Sequence, residues 1–323
     1  MAHWRMMTVG VWHGLRGRVG KFRRGHVLVS LVVVNYNSSA FLKGCAQAAM
    51  AQVDEIIVVD NASVDGSIEA LLESCPNEPK LKVVRNGANL GFAVACNIGS
   101  ELAKGDYVLF LNPDCRLDVG VVAEMVSVLK SDATVGMVGG LLVNLDGTEQ
   151  GGGRRAMPTP WRSFVHAFGL SRFSDRWPRL FFDFYLHKQP LPALPIDVEA
   201  ISGACMLVKR KAMEDVGPWD EKYFLHCEDL DWCMRFQQKG WKVMFVPSAR
   251  VTHALGVCGR SCPVFVQWHK HKGMMRFYRK FFRHQYPSVL MGLVMMGVWL
   301  RFGLVAGYYT AMHTKRALGL RRG

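Results

Sequence analysis

No aspartate or glutamate occurs among residues 1–29 or among residues 260–323 of this 323-residue chain. The first stretch carries six Lys and Arg and the second carries twelve, so neither end neutralises itself. Residues 30–259 hold all 26 acidic residues against 22 basic ones. The formal charge of +14 is therefore a core of −4 with +18 on its flanks. Flanks of one sign call for a polyanion, an anionic membrane surface or a merely solvated tail. Half the residues are apolar and 20% are charged, which excludes a disordered or collagenous chain. At roughly 100–200 residues per domain, the length allows one large α/β domain or two small ones.

Other absences narrow the function. There is no internal repeat or low-complexity tract, which excludes solenoids. None of the nine cysteines forms a Cys-x-x-Cys pair, and the odd count fits free thiols in a reducing compartment. Cys258-x-x-x-Cys262 followed by His269 and His271 matches no common zinc spacing. Gly and Arg interrupt the apolar stretch that a secretory signal would need near the N-terminus. No Gly-x-Gly-x-x-Gly follows the first expected strand, and no Gly-x-x-x-x-Gly-Lys-Ser/Thr occurs. Dinucleotide cofactors and P-loop nucleotide hydrolysis are thereby disfavoured.

What is present is an alternation of short β-rich runs with helical patterns. Strands are expected over 27–34, 55–60, 81–85, 107–111 and 135–143, with helices over 41–51, 65–74, 92–103 and 119–130. Such alternation means βαβ units, a mostly parallel sheet and helices on both faces. Ligands bind such sheets at the strand C-terminal ends, which directs attention to Asn35-Tyr36-Asn37, Asp60-Asn61, Asn86–Gly91 and Asn112-Pro113-Asp114. Beyond residue 143 the chain becomes richer in Gly and Pro. Single strands are expected over 198–208 and 241–246, with a helix over 228–239 between them.

Asp114 ends an apolar strand, where a carboxylate suits Mg²⁺ or Mn²⁺ carrying a diphosphate. Asn-Pro-Asp is equally good chemistry for an ordinary turn. Asp60 is placed to accept a hydrogen bond from a nucleobase or ribose, and its sequence also reads as a helix N-cap. Glu228, Asp229 and Asp231 crowd the first turn of an expected helix, where the dipole favours carboxylates. The same cluster suits a general base that stays ionised at neutral pH. His253 reads either as a metal or phosphate ligand or as a structural histidine.

In order along the chain stand Val33-Val34-Asn35-Tyr36-Asn37, Val59–Ser67, Asn89-Leu90-Gly91-Phe92-Ala93, Leu111–Asp114, Ser202–Leu207, Trp219-Asp220-Glu221 and Glu228–Trp232. Together they resemble family-2 glycosyltransferases with the GT-A fold, in particular the bacterial rhamnosyltransferase branch. The resemblance implies a nucleotide-sugar pocket of Val34, Asn35, Tyr36, Asn37, Asp60, Asn89, Gly91, Asn112 and Asp114. Asp60 matches the residue that reads the uracil or thymine imide. Asp114 matches the last member of the Asp-x-Asp metal motif, with Asn112 in place of its first, and His253 matches a later metal-side histidine. Cys258 stands where the family often has Ser. Asp229 matches the catalytic base, with Glu228 and Asp231 as supporting carboxylates, and Gly203, Ala204 and Trp219 lie on the acceptor side. The implied activity is an inverting, Mg²⁺- or Mn²⁺-dependent transfer from a dTDP- or UDP-sugar to a lipid-linked saccharide, with dTDP-rhamnose the expected donor. A sugar nucleotidyltransferase would need an early Gly-rich triphosphate loop, which is absent. A membrane-associated nucleotide-sugar-binding scaffold is the non-catalytic alternative.

The expected organisation is a basic tail (1–26), a GT-A domain (27–262, divided at 144 into nucleotide-sugar and acceptor halves) and C-terminal membrane-associating helices (263–323). Residues 289–312 are long enough to cross a bilayer, but Arg301 sits in their middle. The preceding cations and aromatics suit an anionic lipid surface, which points to the cytoplasmic face of the inner membrane. Nucleic acid is disfavoured, since the crevice-bearing core is acidic and no binding motif is present. Oligomerisation is left open.

Overall fold

A computed structural model describes residues 28–254 and 262–317, with side chains through residue 312. The N-terminal tail and Cys258 lie outside the described residues. Strands β1 (Val29–Asn35), β2 (Glu55–Asp60), β3 (Leu81–Arg85) and β4 (Tyr107–Leu111) alternate with helices α1 (Phe41–Met50), α2 (Ser67–Ser74) and α3 (Phe92–Leu102). The four strands pair in parallel in the order β3-β2-β1-β4. All seven residues of β1 are buried, as its unbroken apolar run requires for a strand covered on both faces. Because side chains alternate across a strand, Leu31 and Val33 join a core under α1 and α2. Val32 and Val34 join a second core on the opposite face, under α3.

The chain continues through β5 (Cys115–Leu117), α4 (Val121–Ser131), β6 (Val135–Val143), β7 (Arg154–Arg155) and α5 (Pro160–Ala167). It then forms β8 (Ile196–Asp197), β9 (Ala200–Ile201), β10 (Cys205–Lys209), α6 (Arg210–Val216), α7 (Glu228–Gln238) and β11 (Lys242–His253). The full order is β3-β2-β1-β4-β10-β6-β11-β5, with β8 on β11. Strand β10 enters antiparallel between β4 and β6, so the halves on either side of residue 144 share one sheet. The architecture is mixed α/β around a mostly parallel sheet, as expected.

Two expected strands differ from what is found. Residues 198–208 form two strands, because β9 pairs with β7 in a separate ribbon while β10 enters the main sheet. The change of partner is made by a turn at Ser202-Gly203-Ala204, where the Ser202 N–H donates to the Gly153 carbonyl at 3.0 Å. Strand β11 does not stop at Val246 but runs to His253, with a register shift between Val246 and Arg250. Pro247 lies in that shift, where a missing N–H costs no ladder bond. The extension delivers His253 to the end of the sheet where Asp114 lies.

Helices α8 (Pro263–Phe281) and α9 (Ser288–Ala317) complete the described chain. They fold back on each other, with Trp268 packing against Trp299 and Phe302. Phe277 and Tyr278 of α8 enter the same core as Trp232 of α7.

Candidate active site

The C-terminal ends of β1 and β2 are tied together through one amide. Asn35, fully buried, donates from Nδ2 to Asp60 Oδ1 at 2.8 Å, Ser67 Oγ at 2.9 Å and Ser63 Oγ at 3.0 Å. The backbone N–H of Ser63 donates to the other Asp60 oxygen at 3.2 Å. Asp60 is thus held in a fixed orientation, 3% exposed. Val34 lies in the core, while Tyr36 is exposed and Asn37 half-buried at the strand end.

Asn89 closes the adjoining loop, accepting from the Gly91 N–H at 3.0 Å and from Asn61 Nδ2 at 3.3 Å. Gly91 has φ +89°, and a Cβ there would lie 2.7 Å from the Phe224 carbonyl. The Phe92 N–H donates to that carbonyl at 2.9 Å. Only glycine permits both the backbone conformation and the close approach. This contact joins the Asn89–Gly91 loop to the segment that leads into α7.

At the end of β4, Asp114 and His253 face one another, with His253 Nε2 3.2 Å from Asp114 Oδ1. His253 Nδ1 lies 2.6 Å from Gln150 Oε1. The Gln150 amide orientation is set by Nε2, which donates to Asn144 Oδ1 at 3.0 Å and to the His253 carbonyl at 3.4 Å. Nδ1 therefore donates to Oε1, and Nε2 is the nitrogen that faces the Asp114 carboxylate. Nε2 and Oδ1 at that separation would both reach a shared cation. One imidazole and one carboxylate, oriented from behind by an amide, would suit a divalent cation. Cys115 Sγ also lies within 4.8 Å, but burial and then the Asp114 charge push its thiol well up. Kept neutral and donating to the Ala204 carbonyl at 3.4 Å, it is no ligand for a hard cation. Asn112 is half-buried beside them.

Asp229 sits in the first turn of α7. Its Oδ2 accepts from Arg155 Nη2 at 2.5 Å and from the Gly203 N–H at 3.3 Å, and its Oδ1 accepts from the Leu230 N–H at 2.8 Å. Burial pushes this carboxyl up, but the Arg155 guanidinium and the N–H donors outweigh it, leaving Asp229 below the usual carboxylate range. The neighbouring Glu228 moves the opposite way, raised by burial and by the Asp229 charge. Two adjacent carboxyls are thus shifted in opposite directions, as acid–base sites separate them.

The turn at Ser202-Gly203-Ala204 links the two halves of the site. Gly203 offers its N–H to Asp229, and the Ala204 carbonyl accepts from the Asn112 N–H at 2.9 Å. The break in the expected strand is what sets the Asp229 carboxylate and the Asp114 end of the sheet around one turn.

Two residues grouped with this site by sequence lie elsewhere. Asp231, with no exposed side chain, is ion-paired to Arg235 at 2.8 Å and Lys280 at 2.6 Å. Two positions from Asp229 on a helix is the far side of the cylinder, so Asp231 anchors α8 to α7. Trp219 is 1% exposed and packs against Phe92, Phe110 and Trp232. It has no surface to offer an acceptor, because the apolar ring is used as core. Conversely, Arg155 was not singled out by sequence. The only signal was two adjacent Arg after Gly151-Gly152-Gly153.

The chain belongs to glycosyl transferase family 2, whose model matches residues 30–217. The N-acetylglucosaminyl-diphospho-decaprenol L-rhamnosyltransferase of Mycobacterium tuberculosis is 31% identical over 209 residues, covering 61% of this chain and 66% of that protein. The chain thus spans just under two thirds of that relative's length. The rhamnosyltransferase WbbL of Escherichia coli K12 is 24% identical over 243 residues, covering 70% of this chain and 83% of WbbL. Among solved structures, a mannosyltransferase from Pyrobaculum calidifontis with GDP-Man and Mn²⁺ superposes with a TM-score of 0.55 at 16% identity, over 93% of this chain and 82% of that one. GalNAc-T7 with UDP, GalNAc and Mn²⁺ gives 0.57 at 19% identity, over 80% of this chain and 48% of its own. These two likenesses establish a GT-A-like fold.

Proposed function

We propose that this protein is an inverting glycosyltransferase that moves a sugar, with dTDP-rhamnose the expected donor, onto a hydroxyl of a lipid-linked saccharide at the cytoplasmic face of a membrane. The observation that carries the reading is the Ser202–Ala204 turn, which binds the Asp229 carboxylate through the Gly203 N–H and the strand end bearing Asp114 through the Ala204 carbonyl. Asp60 accepts the nucleobase imide, and Tyr36, Asn37 and Asn89 border the nucleoside. A divalent ion between Asp114 and His253 would neutralise charge on the departing nucleoside diphosphate. Asp229 accepts the proton of the incoming hydroxyl, while Arg155 holds it ionised and oriented. Glu228, buried beside it, shapes the turn. A rhamnosyltransferase acting on a polyprenyl-diphosphate acceptor among the relatives supports both the sugar and the acceptor class. A non-catalytic scaffold is not favoured, because a binding module has no use for a carboxylate fixed by a guanidinium and two backbone N–H groups.

The test is release of nucleoside diphosphate from a donor panel with Mn²⁺ or Mg²⁺ and a lipid-linked acceptor extract. Turnover with dTDP-rhamnose above UDP- and GDP-sugars is expected. Donor binding without turnover of any donor would leave only the scaffold.

Arg155→Met supplies a pH test. Asp229 loses activity as pH falls through its own pKa, and Arg155 holds that pKa down. Removing Arg155 raises it, so the acidic limb of the kcat/KM profile is expected to move to higher pH. Activity at alkaline pH should change less. An unmoved acidic limb in a folded variant would separate Arg155 from the base.

A further inference from the structure

The catalytic reading leaves the cationic C-terminal region unused, yet five cations converge there on one cavity. Between α8, α9 and the loop before Phe224 lies a cavity of about 640 Å³, lined by Lys222, Lys272, Arg276, Arg279 and Lys280 with Trp299. Arg276 and Lys280 are already paired, both reaching Asp220 Oδ2, at 2.6 and 2.8 Å. Among the described residues, no carboxylate ion-pairs with Lys222, Lys272 or Arg279, so the cavity holds a surplus of positive charge.

Helix α9 forms one wall. Within Ser288–Met312 an 18-residue window has a mean hydropathy of 2.0, and the stretch is long enough to cross a membrane. The packing argues against crossing. Met291 is buried in the core, and Val294, Met295 and Val298 pack against it, so one face of the first three turns rests on protein. Arg301 lies within the stretch, its Nη1 3.1 Å from His271 Nε2 of α8. Trp299, at the middle of the apolar stretch, shares its cavity with Lys272 and Arg276. Centring α9 in a bilayer would carry those charges into hydrocarbon, where they are strongly disfavoured. The outward face of α9 is nonetheless apolar, with Val289, Leu293, Met296, Leu300, Leu304 and Tyr308 exposed at spacings of three and four, a single stripe.

We propose that α9 lies flat in the membrane interface instead of crossing it, and that the cavity beside it receives the phosphate of an anionic phospholipid headgroup. The apolar stripe sits at the acyl boundary, and α8 supplies the cationic face that an interfacial helix ordinarily carries itself. Trp299 belongs to both surfaces, which suits a tryptophan at headgroup depth. The proposal rests on the membrane-side location proposed above, and its tests do not depend on sugar transfer.

In sealed inside-out membrane vesicles, a C-terminal epitope on the full chain is expected to be digested by added protease together with the catalytic domain. An epitope protected while the catalytic domain is cleaved would mean that α9 crosses, and would overturn the flat arrangement. Purified full chain should bind vesicles containing phosphatidylglycerol more tightly than phosphatidylcholine vesicles. The triple variant Lys222→Gln, Lys272→Gln, Arg279→Gln should lose that preference, on the order of a hundredfold in partitioning, while its nucleotide-sugar hydrolysis is unchanged. A preference that survives the triple variant overturns the headgroup site. So does binding restored in phosphatidylcholine vesicles by trace polyprenyl diphosphate, which would assign the cavity to the acceptor. Wild-type protein that binds neither vesicle would refute the membrane location itself, independently of the chemistry at Asp229.

Discussion

Asp229→Asn is expected to lower sugar transfer by about 10²–10⁴-fold, the usual contribution of a positioned general base, while nucleotide-sugar affinity is unchanged. That corresponds to roughly 3–5 kcal/mol of transition-state stabilisation. The substitution keeps the side chain's shape and its acceptor oxygen for the Gly203 or Leu230 N–H. It removes the one carboxylate in the crevice that Arg155 holds ionised. Glu228 is no substitute, since burial and the Asp229 charge push its carboxyl up and its Oε2 is buried without a partner. Glu228→Gln should therefore cost far less than Asp229→Asn. Thermal unfolding of both variants, beside transfer and donor titration, separates chemistry from folding. Equal losses in the two variants, or lost donor binding in a folded Asp229→Asn protein, would count against the assignment.

The strand-end part of the candidate site was legible from local pattern, and the part around Asp229 was not. Asp60, Asn89 and Asp114 sit at the end of β2, in the β3–α3 loop and just past β4, where continuous apolar runs stop and polar residues begin. Strand ends of that kind are visible in a sequence because burial of both faces leaves no polar residue until the strand leaves the sheet. The Gly203 turn was hidden because residues 198–208 are apolar on both sides of it. Nothing local says that Ile201 pairs with Arg154 while Cys205 pairs with Leu111. Arg155 was hidden for the same reason, since its partner is 74 positions away. Asp231 misled in the opposite direction. Three carboxylates in one helical turn look alike in sequence, and only the packing of α8 shows that Lys280 takes one of them. Arg301 was legible as an anomaly within an apolar stretch, and its contact with His271 supplies the physical reason for it.

Asp114→Asn is expected to weaken Mn²⁺ binding by more than the roughly 10–100-fold that follows loss of an outer-shell partner, and to make nucleoside-diphosphate binding indifferent to the metal. Asn112 occupies the place where the family's motif has a first carboxylate, so Asp114 carries the charge of this end of the sheet. The substitution leaves an amide and an imidazole, neither of which attracts a hard cation strongly. Gln150→Leu tests the orientation of His253 separately. Without Oε1 at 2.6 Å, the imidazole loses the bond that selects its tautomer, and Mn²⁺ affinity should fall within that 10–100-fold range. An imidazole ligand also suits Mn²⁺ better than the more oxygen-demanding Mg²⁺, so Mn²⁺ should bind the wild-type protein more tightly. Electron paramagnetic resonance of Mn²⁺, titrated with and without nucleoside diphosphate, reads all three expectations without turnover. Mn²⁺ binding equal in the wild type and in Asp114→Asn would show that the buried Asp114–His253 contact is a proton-bridged structural pair, and the charge on the leaving diphosphate would then have to be met by cations of the chain itself.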